Sequence, residues 1–141
     1  MTVTTPAGRL VRAFGDVEKM AALYAPGIDW SLSASLPYPR PMRGRDAVLA
    51  FNRSVWEEVY FPDCTVEILD EVGNDSLSAV RFIYRARHRA TGRAYENEYT
   101  LFARAGAEGI TEVFEALDTL AVFDQINGRP AGTSLARVSS D

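Results

Sequence analysis

Residues 81–99 run Arg81-Phe82-Ile83-Tyr84-Arg85-Ala86-Arg87-His88-Arg89-Ala90-Thr91-Gly92-Arg93-Ala94-Tyr95-Glu96-Asn97-Glu98-Tyr99, and their reading decides the fold. On both sides of Ala90-Thr91-Gly92-Arg93, charged residues alternate with aromatic and small ones at a period of two. That is the pattern of two half-buried strands joined by a short turn. Placing Arg89 opposite Ala94 pairs Arg87 with Glu96 and Arg85 with Glu98 on one face, each pair contributing roughly 0.2–1 kcal/mol. The other face then carries Tyr84 beside Tyr99, Ala86 beside Asn97 and His88 beside Tyr95. A slip of one residue would mix the two faces.

Downstream, Gly106-Ala107-Glu108-Gly109 separates a strand over Ala94–Arg104 from another over Ile110–Phe123. Pairing Ala105 with Ile110 sets Leu101 beside Phe114, Tyr99 beside Ala116 and Asn97 beside Asp118; a loop one residue longer would shift this register. Upstream, Thr65–Val72 and Leu77–Arg89 are strands parted by Gly73-Asn74-Asp75. The first half reads differently. Ala7–Phe14 is a short helix, and Asp16 caps a second that runs to about Tyr24. Ile28–Ala34 alternates as a strand, three prolines make 36–41 a stiff loop, and Arg45–Val59 is a longer helix with Val48, Phe51, Val55 and Val59 inward. Helices first and hairpins after predict an α+β fold, with N-terminal helices packed on an antiparallel sheet.

At 141 residues the chain is predicted to be a single domain over 1–127, with 128–141 a loose tail rich in Gly, Ser, Ala and Arg. A net charge of -4 argues against nucleic acid as a partner. No apolar run is long enough to span a membrane, and the N-terminus lacks a secretory pattern. The lone Cys64 suits a reducing cytoplasm. One histidine and one cysteine build no zinc site, and no phosphate-binding glycine loop is present, so neither metal nor cofactor is expected.

On this register the inner face gathers Tyr84, Tyr99 and Phe114 with a polar group of Asn97, Asp118 and His88, and Trp30 joins the wall from the first strand. Asp118 is the candidate catalytic residue. A carboxylate among tyrosine, phenylalanine and leucine side chains loses hydration, which suits it to proton transfer. The competing reading is a structural carboxylate bonded to Asn97 or a backbone amide. Strict alternation turns Glu115 outward, and only a bulge would bring it in. Asp29 points away from Trp30. His88 at a strand end reads equally as a solvent-facing residue, and the arginine-rich outer face as a partly paired surface or a dimer contact.

The order helix, helix, strand, Pro-rich loop, helix and four strands, with Thr91-Gly92-Arg93-Ala94-Tyr95-Glu96-Asn97-Glu98-Tyr99 and Phe114-Glu115-Ala116-Leu117-Asp118-Thr119, resembles the SnoaL-like and ketosteroid-isomerase-like branch of the nuclear-transport-factor-two-like superfamily. The resemblance implies a cystatin-like α+β roll, N-terminal helices packed on a strongly curved antiparallel sheet that forms a cone with an apolar pocket closed by helices, and a homodimer through the outer sheet face. It also implies that Asp118 matches the last-strand acid/base of the polyketide cyclases. The isomerase tyrosine of the first helix is replaced by Phe14, the epoxide-hydrolase arginine by Tyr95, Asn97 or Tyr99, and the dehydratase histidine pair by His88 alone. The function expected is cofactor-independent proton transfer on a small hydrophobic carbonyl compound: isomerase, cyclase or dehydratase chemistry. In that reading Tyr99, Asn97 or Tyr84 stabilises the enolate. The alternatives are a non-catalytic binder of a hydrophobic metabolite and a dimeric interaction module with a vestigial pocket.

Overall fold

The structure, a computed structural model, describes residues 4–135. Helix α1 (Pro6–Arg12) starts at Thr5, whose hydroxyl accepts from the Gly8 amide at 3.0 Å. Thr5 also donates its amide and its hydroxyl to Glu71 at 2.8 Å, and Arg12 pairs with the same carboxylate at 2.6 Å. These contacts hold α1 on the sheet with Leu10 and Val11 buried beneath it. Helix α2 (Val17–Ala21) is capped by Asp16 but ends three residues before Tyr24, because strand β1 (Tyr24–Leu32) already begins there. Pro26-Gly27 falls inside that strand, where its register to the neighbouring strand shifts.

The Pro-rich loop leads into a two-residue strand, β2 (Met42–Arg43), which pairs with Trp30 and Asp29 of β1. Helix α3 (Arg45–Ser54) follows and does not continue regularly to Val59. Its last turn, Val55–Val59, is π-helical, with the Tyr60 amide bonded to the Val55 carbonyl at 2.8 Å. Widened turns of this kind recur at functional sites. Here the turn carries Trp56 inward, where its indole N–H donates to the Tyr84 hydroxyl at 2.8 Å.

Strands β3 (Thr65–Gly73), β4 (Leu77–Arg87), β5 (Ala94–Gly106) and β6 (Gly109–Leu117) complete an open, curved six-stranded sheet of order β2-β1-β6-β5-β4-β3. All neighbours are antiparallel except β1 and β6, which run parallel. The expected α+β class holds, with that one correction to an antiparallel sheet.

Two registers differ from the sequence reading. Between β4 and β5 the ladder pairs Arg87 with Ala94, Arg85 with Glu96 and Tyr84 with Asn97, two residues away from the expected pairing. The cause is that Arg89 leaves the ladder. Its guanidinium binds the Trp56 and Tyr60 carbonyls at the end of the π-turn, and Gly92, at φ +72°, closes the hairpin on His88. An even shift preserves the faces. The outer charges therefore still pair, but as Arg85 with Glu96 (2.5 Å) and Glu67 (2.9 Å), and Arg81 with Asp70 (2.8 Å) and Glu98 (3.1 Å), while Arg87 lies 3.6 Å from Asp63.

Between β5 and β6 the outcome is more consequential. Ala105 does face Ile110, but Arg104 faces Glu112, which leaves Thr111 as an extra residue on β6. This bulge turns every later side chain of β6 to the other face. Helix α4 (Thr119–Ile126) then replaces the expected continuation of the strand to Phe123. Past α4, the Asp124 carboxylate, without solvent exposure, accepts from the Ser134 amide and hydroxyl, and the Arg129 amide bonds the Asp124 carbonyl, which ties residues 128–135 back to the helix. The remainder of the expected tail, 136–141, lies outside the described residues.

Candidate functional site

The inner face of the curved sheet, helix α3 with its π-turn and helix α4 enclose a cavity of about 240 Å³. Its walls come from Phe14 after α1, Trp30 and Leu32 of β1, and Tyr38 of the Pro-rich loop. The π-turn adds Trp56, and β4, β5 and β6 add Tyr84, Tyr99 and Glu115; Val122 and Ile126 of α4 close one side. The volume lies below the roughly 300–1,000 Å³ of drug-sized ligand pockets, so a ligand held here is small or reaches out through the mouth.

Three expected residues line this cavity: Trp30, Tyr84 and Tyr99. Four do not. Asp118 is exposed at the start of α4, where its carboxylate accepts from the Ala121 amide at 3.0 Å as an N-cap. Only its carbonyl meets Asn97, at 2.9 Å. Asn97 is buried, but its amide group is turned to Asp118 and to the Tyr95 hydroxyl (3.0 Å), so it stands behind the wall. Phe114, 36% exposed, points to the outer face beside Phe102. His88 is buried under Tyr60, with ring centroids 5.3 Å apart, and its Nε2 has no partner. Burial and the nearby Arg93 lower its pKa, so the imidazole is neutral near pH 7.

The Thr111 bulge is the reason for the largest change. It sends Phe114 out and Glu115 in, so the residue placed outside by strict alternation becomes the one charged side chain of the cavity wall. Glu115 is 5% exposed, and no cationic side chain lines the cavity beside it among the described residues. Burial pushes its pKa up to about 7. The Trp30 indole N–H works in the opposite direction, although it lacks a fully formed bond. A carboxyl raised by burial and an indole N–H with an incompletely formed bond thus share one wall of an apolar chamber.

The phenols nearby are organised as a chain. Asn97 donates to the Tyr95 hydroxyl, which lies 2.9 Å from that of Tyr99 on the cavity wall. If Tyr95 donates onward, the Tyr99 proton is free to point into the chamber. Tyr24 donates to the Asn52 side-chain oxygen at 2.6 Å, which fixes the one amide that lines the cavity. Burial raises the pKa of Tyr24, Tyr84, Tyr95 and Tyr99, so all remain protonated near neutrality. No helix among the described residues is long and apolar enough to cross a membrane.

The inward turn of Glu115 is absent from the sequence reading. The glutamate was visible as a charged residue between Phe114 and Ala116, but its inward turn depends on the bulge, for which Thr111-Glu112 carries no glycine or proline mark. Phe51 and Trp56 read from the sequence as lid or core residues of the long helix, and both line the cavity.

Comparison with known proteins follows this geometry. A family model described as a SnoaL-like domain matches residues 9–119. No curated protein matches the sequence. Among solved structures, the chain is similar to a protein of ketosteroid-isomerase-like fold from Catenulispora acidiphila, solved with trimethylamine, at 14% identity and TM-score 0.74, over 92% of this chain and 97% of that one. It is similar to an isomerase candidate from Rhodopseudomonas palustris at 22% identity and TM-score 0.71, over 86% and 92% of the chains. A candidate polyketide cyclase from Streptomyces antibioticus matches at 25% identity and TM-score 0.69, over 86% and 96%. The likenesses at 14% and 22% identity speak for the fold alone.

Proposed function

This chain belongs to the SnoaL-like domain family, and on that premise we propose that it is a cofactor-independent acid/base enzyme acting on a small hydrophobic carbonyl compound, with Glu115 as the proton-transferring group. The observation that carries the reading is the Glu115 carboxyl itself: buried on the wall of an apolar cavity, with the Trp30 indole as the donor that favours its charge, and with its pKa pushed up by burial to about 7. Such a group exchanges protons readily near neutral pH. In the step proposed, the carboxylate takes a proton from the carbon next to the carbonyl. The C–H electron pair moves into the enolate, and its negative oxygen accepts from the Tyr99 hydroxyl or the Trp30 indole N–H. The carboxylic acid then returns the proton to a different carbon, or to a departing hydroxyl. Isomerisation, aldol-type cyclisation and dehydration all contain that step.

The test needs no knowledge of the natural substrate. Exchange of α-protons for deuterium in small cyclic ketones, followed by NMR in deuterated buffer, reads the proton transfer directly. Wild-type protein is expected to accelerate it, and Glu115→Gln to lower the acceleration about a hundredfold or more. Ketones that bind without any accelerated exchange would favour the non-catalytic binding protein instead.

We also propose a second copy of this chain as the partner of the outer sheet face. Phe102 and Phe114, 46% and 36% exposed, are paired there across β5 and β6, an apolar centre of the kind that dimer interfaces bury.

A further inference from the structure

Proton transfer to a neutral ketone leaves two features of the cavity unused: its wealth of aromatic rings and its lack of any cation. Among the described residues that line the cavity, eight are aromatic, Glu115 is the one charged side chain, and no lysine, arginine or histidine takes part. The rings form two connected walls. Phe14 lies 5.4 Å from Trp56 and 6.2 Å from Tyr84, and Phe51 lies 5.8 Å from Trp30 and 5.0 Å from Tyr38, centroid to centroid. A buried carboxylate with no cationic partner is relieved either by a proton or by a cation that the walls tolerate. Metal ions do not fit that description, since they require several oxygen ligands, and the Asn52 oxygen is already engaged by Tyr24. A weakly hydrated organic cation does fit, because ring faces attract it once water is excluded.

We propose that the cavity is a binding site for a small alkylammonium ion, with the Glu115 carboxylate as its counter-charge and the aromatic walls as its cage. The inference goes beyond proton transfer and does not depend on it. The site selects for positive charge on the ligand and against carboxylates. The titratable groups that act on Glu115 or lie near it are the phenols of Tyr24, Tyr95 and Tyr99, raised by burial and uncharged near neutrality, and His88 behind Tyr60 and Tyr95, which is neutral above its lowered pKa. Glu115 is therefore the group whose ionisation governs binding between pH 6 and pH 8, and affinity rises with pH across that range.

Choline and its uncharged carbon isostere, 3,3-dimethylbutan-1-ol, differ only in the charge at the branched centre. Titrated into the protein by calorimetry at pH 8, with quenching of tryptophan fluorescence as a second readout, choline is expected to bind at least about tenfold more tightly. That preference shrinks at pH 5.5 in the wild type and disappears in Glu115→Gln. The wild-type pH comparison stands even where the variant fails to fold. Equal affinity for the two probes, tighter binding of the alcohol, or no binding of either at millimolar concentration overturns the proposal. Since no turnover is read, a failure here leaves the α-proton exchange result untouched, and the reverse holds as well.

Discussion

Glu115 stands directly across the β5–β6 ladder from Leu101, a residue with no solvent exposure, so its carboxyl enters the cavity from a dry part of the sheet. On its other side the parallel partner is Leu32, also buried. A carboxyl between two leucines has little to favour its charge, and the first prediction follows from that.

Burial raises the Glu115 carboxyl from 4.5 to about 7. A carboxyl raised on folding binds its proton more tightly in the folded chain than in the unfolded one. Its stabilising contribution is complete below pH 4.5 and fades as the pH climbs through 7, a loss on the order of 3 kcal/mol. Glu115→Gln removes this dependence. Urea denaturation is expected to show the variant gaining on the wild type between pH 5 and pH 8. A difference that stays constant across those two pH values would mean that the carboxyl is hydrated.

Asp118→Asn is expected to leave both exchange activity and stability nearly unchanged, since asparagine caps a helix about as well as aspartate. Asp118→Ala should cost about 1 kcal/mol through the lost cap to Ala121, with α-proton exchange still intact. A hundredfold loss of exchange in Asp118→Asn would return the acid/base role to that residue.

Trp30→Phe keeps a ring in the wall and deletes the one indole N–H there that lacks a partner. If that N–H holds the enolate oxygen, the rate constant at saturating ketone falls about tenfold or more while the KM changes little. A change confined to KM would make Trp30 a packing residue only.

Phe102→Asp places a charge at the centre of the outer apolar pair. Native mass spectrometry is expected to give a dimer for the wild type and a monomer for the variant, with the circular dichroism of the fold retained. A wild type that is already monomeric would end the second-copy proposal.

The faces of β4 and β5 were legible because alternation survives any even error in register, so Tyr84 and Tyr99 were placed inward despite a two-residue misplacement of the hairpin. The face of β6 was not, because the Thr111 bulge changes the count by one and nothing in its side chain announces it. The parallel pairing of β1 with β6 joins segments about eighty residues apart, a relation that local patterns do not carry. Helix α4 was readable in principle: Asp118 stands before Leu120, Ala121 and Val122 as a cap stands before a helix. It was taken as strand because the alternation of β6 runs straight into it. Of the cavity wall, the rings of Trp30, Tyr84 and Tyr99 are legible in the alternation, whereas the inward turn of Glu115 is not.

Because one unpaired residue at Thr111 orients all that follow in β6, the chemistry of the chamber is tied to a residue count as much as to residue identity. Removing that single position would exchange the roles of Phe114 and Glu115, leaving a chamber without a carboxylate and an added acidic group on the outer surface. Within this architecture, a three-nucleotide insertion or deletion in the gene is then enough to convert a greasy container into one that holds an ionisable group, or back again.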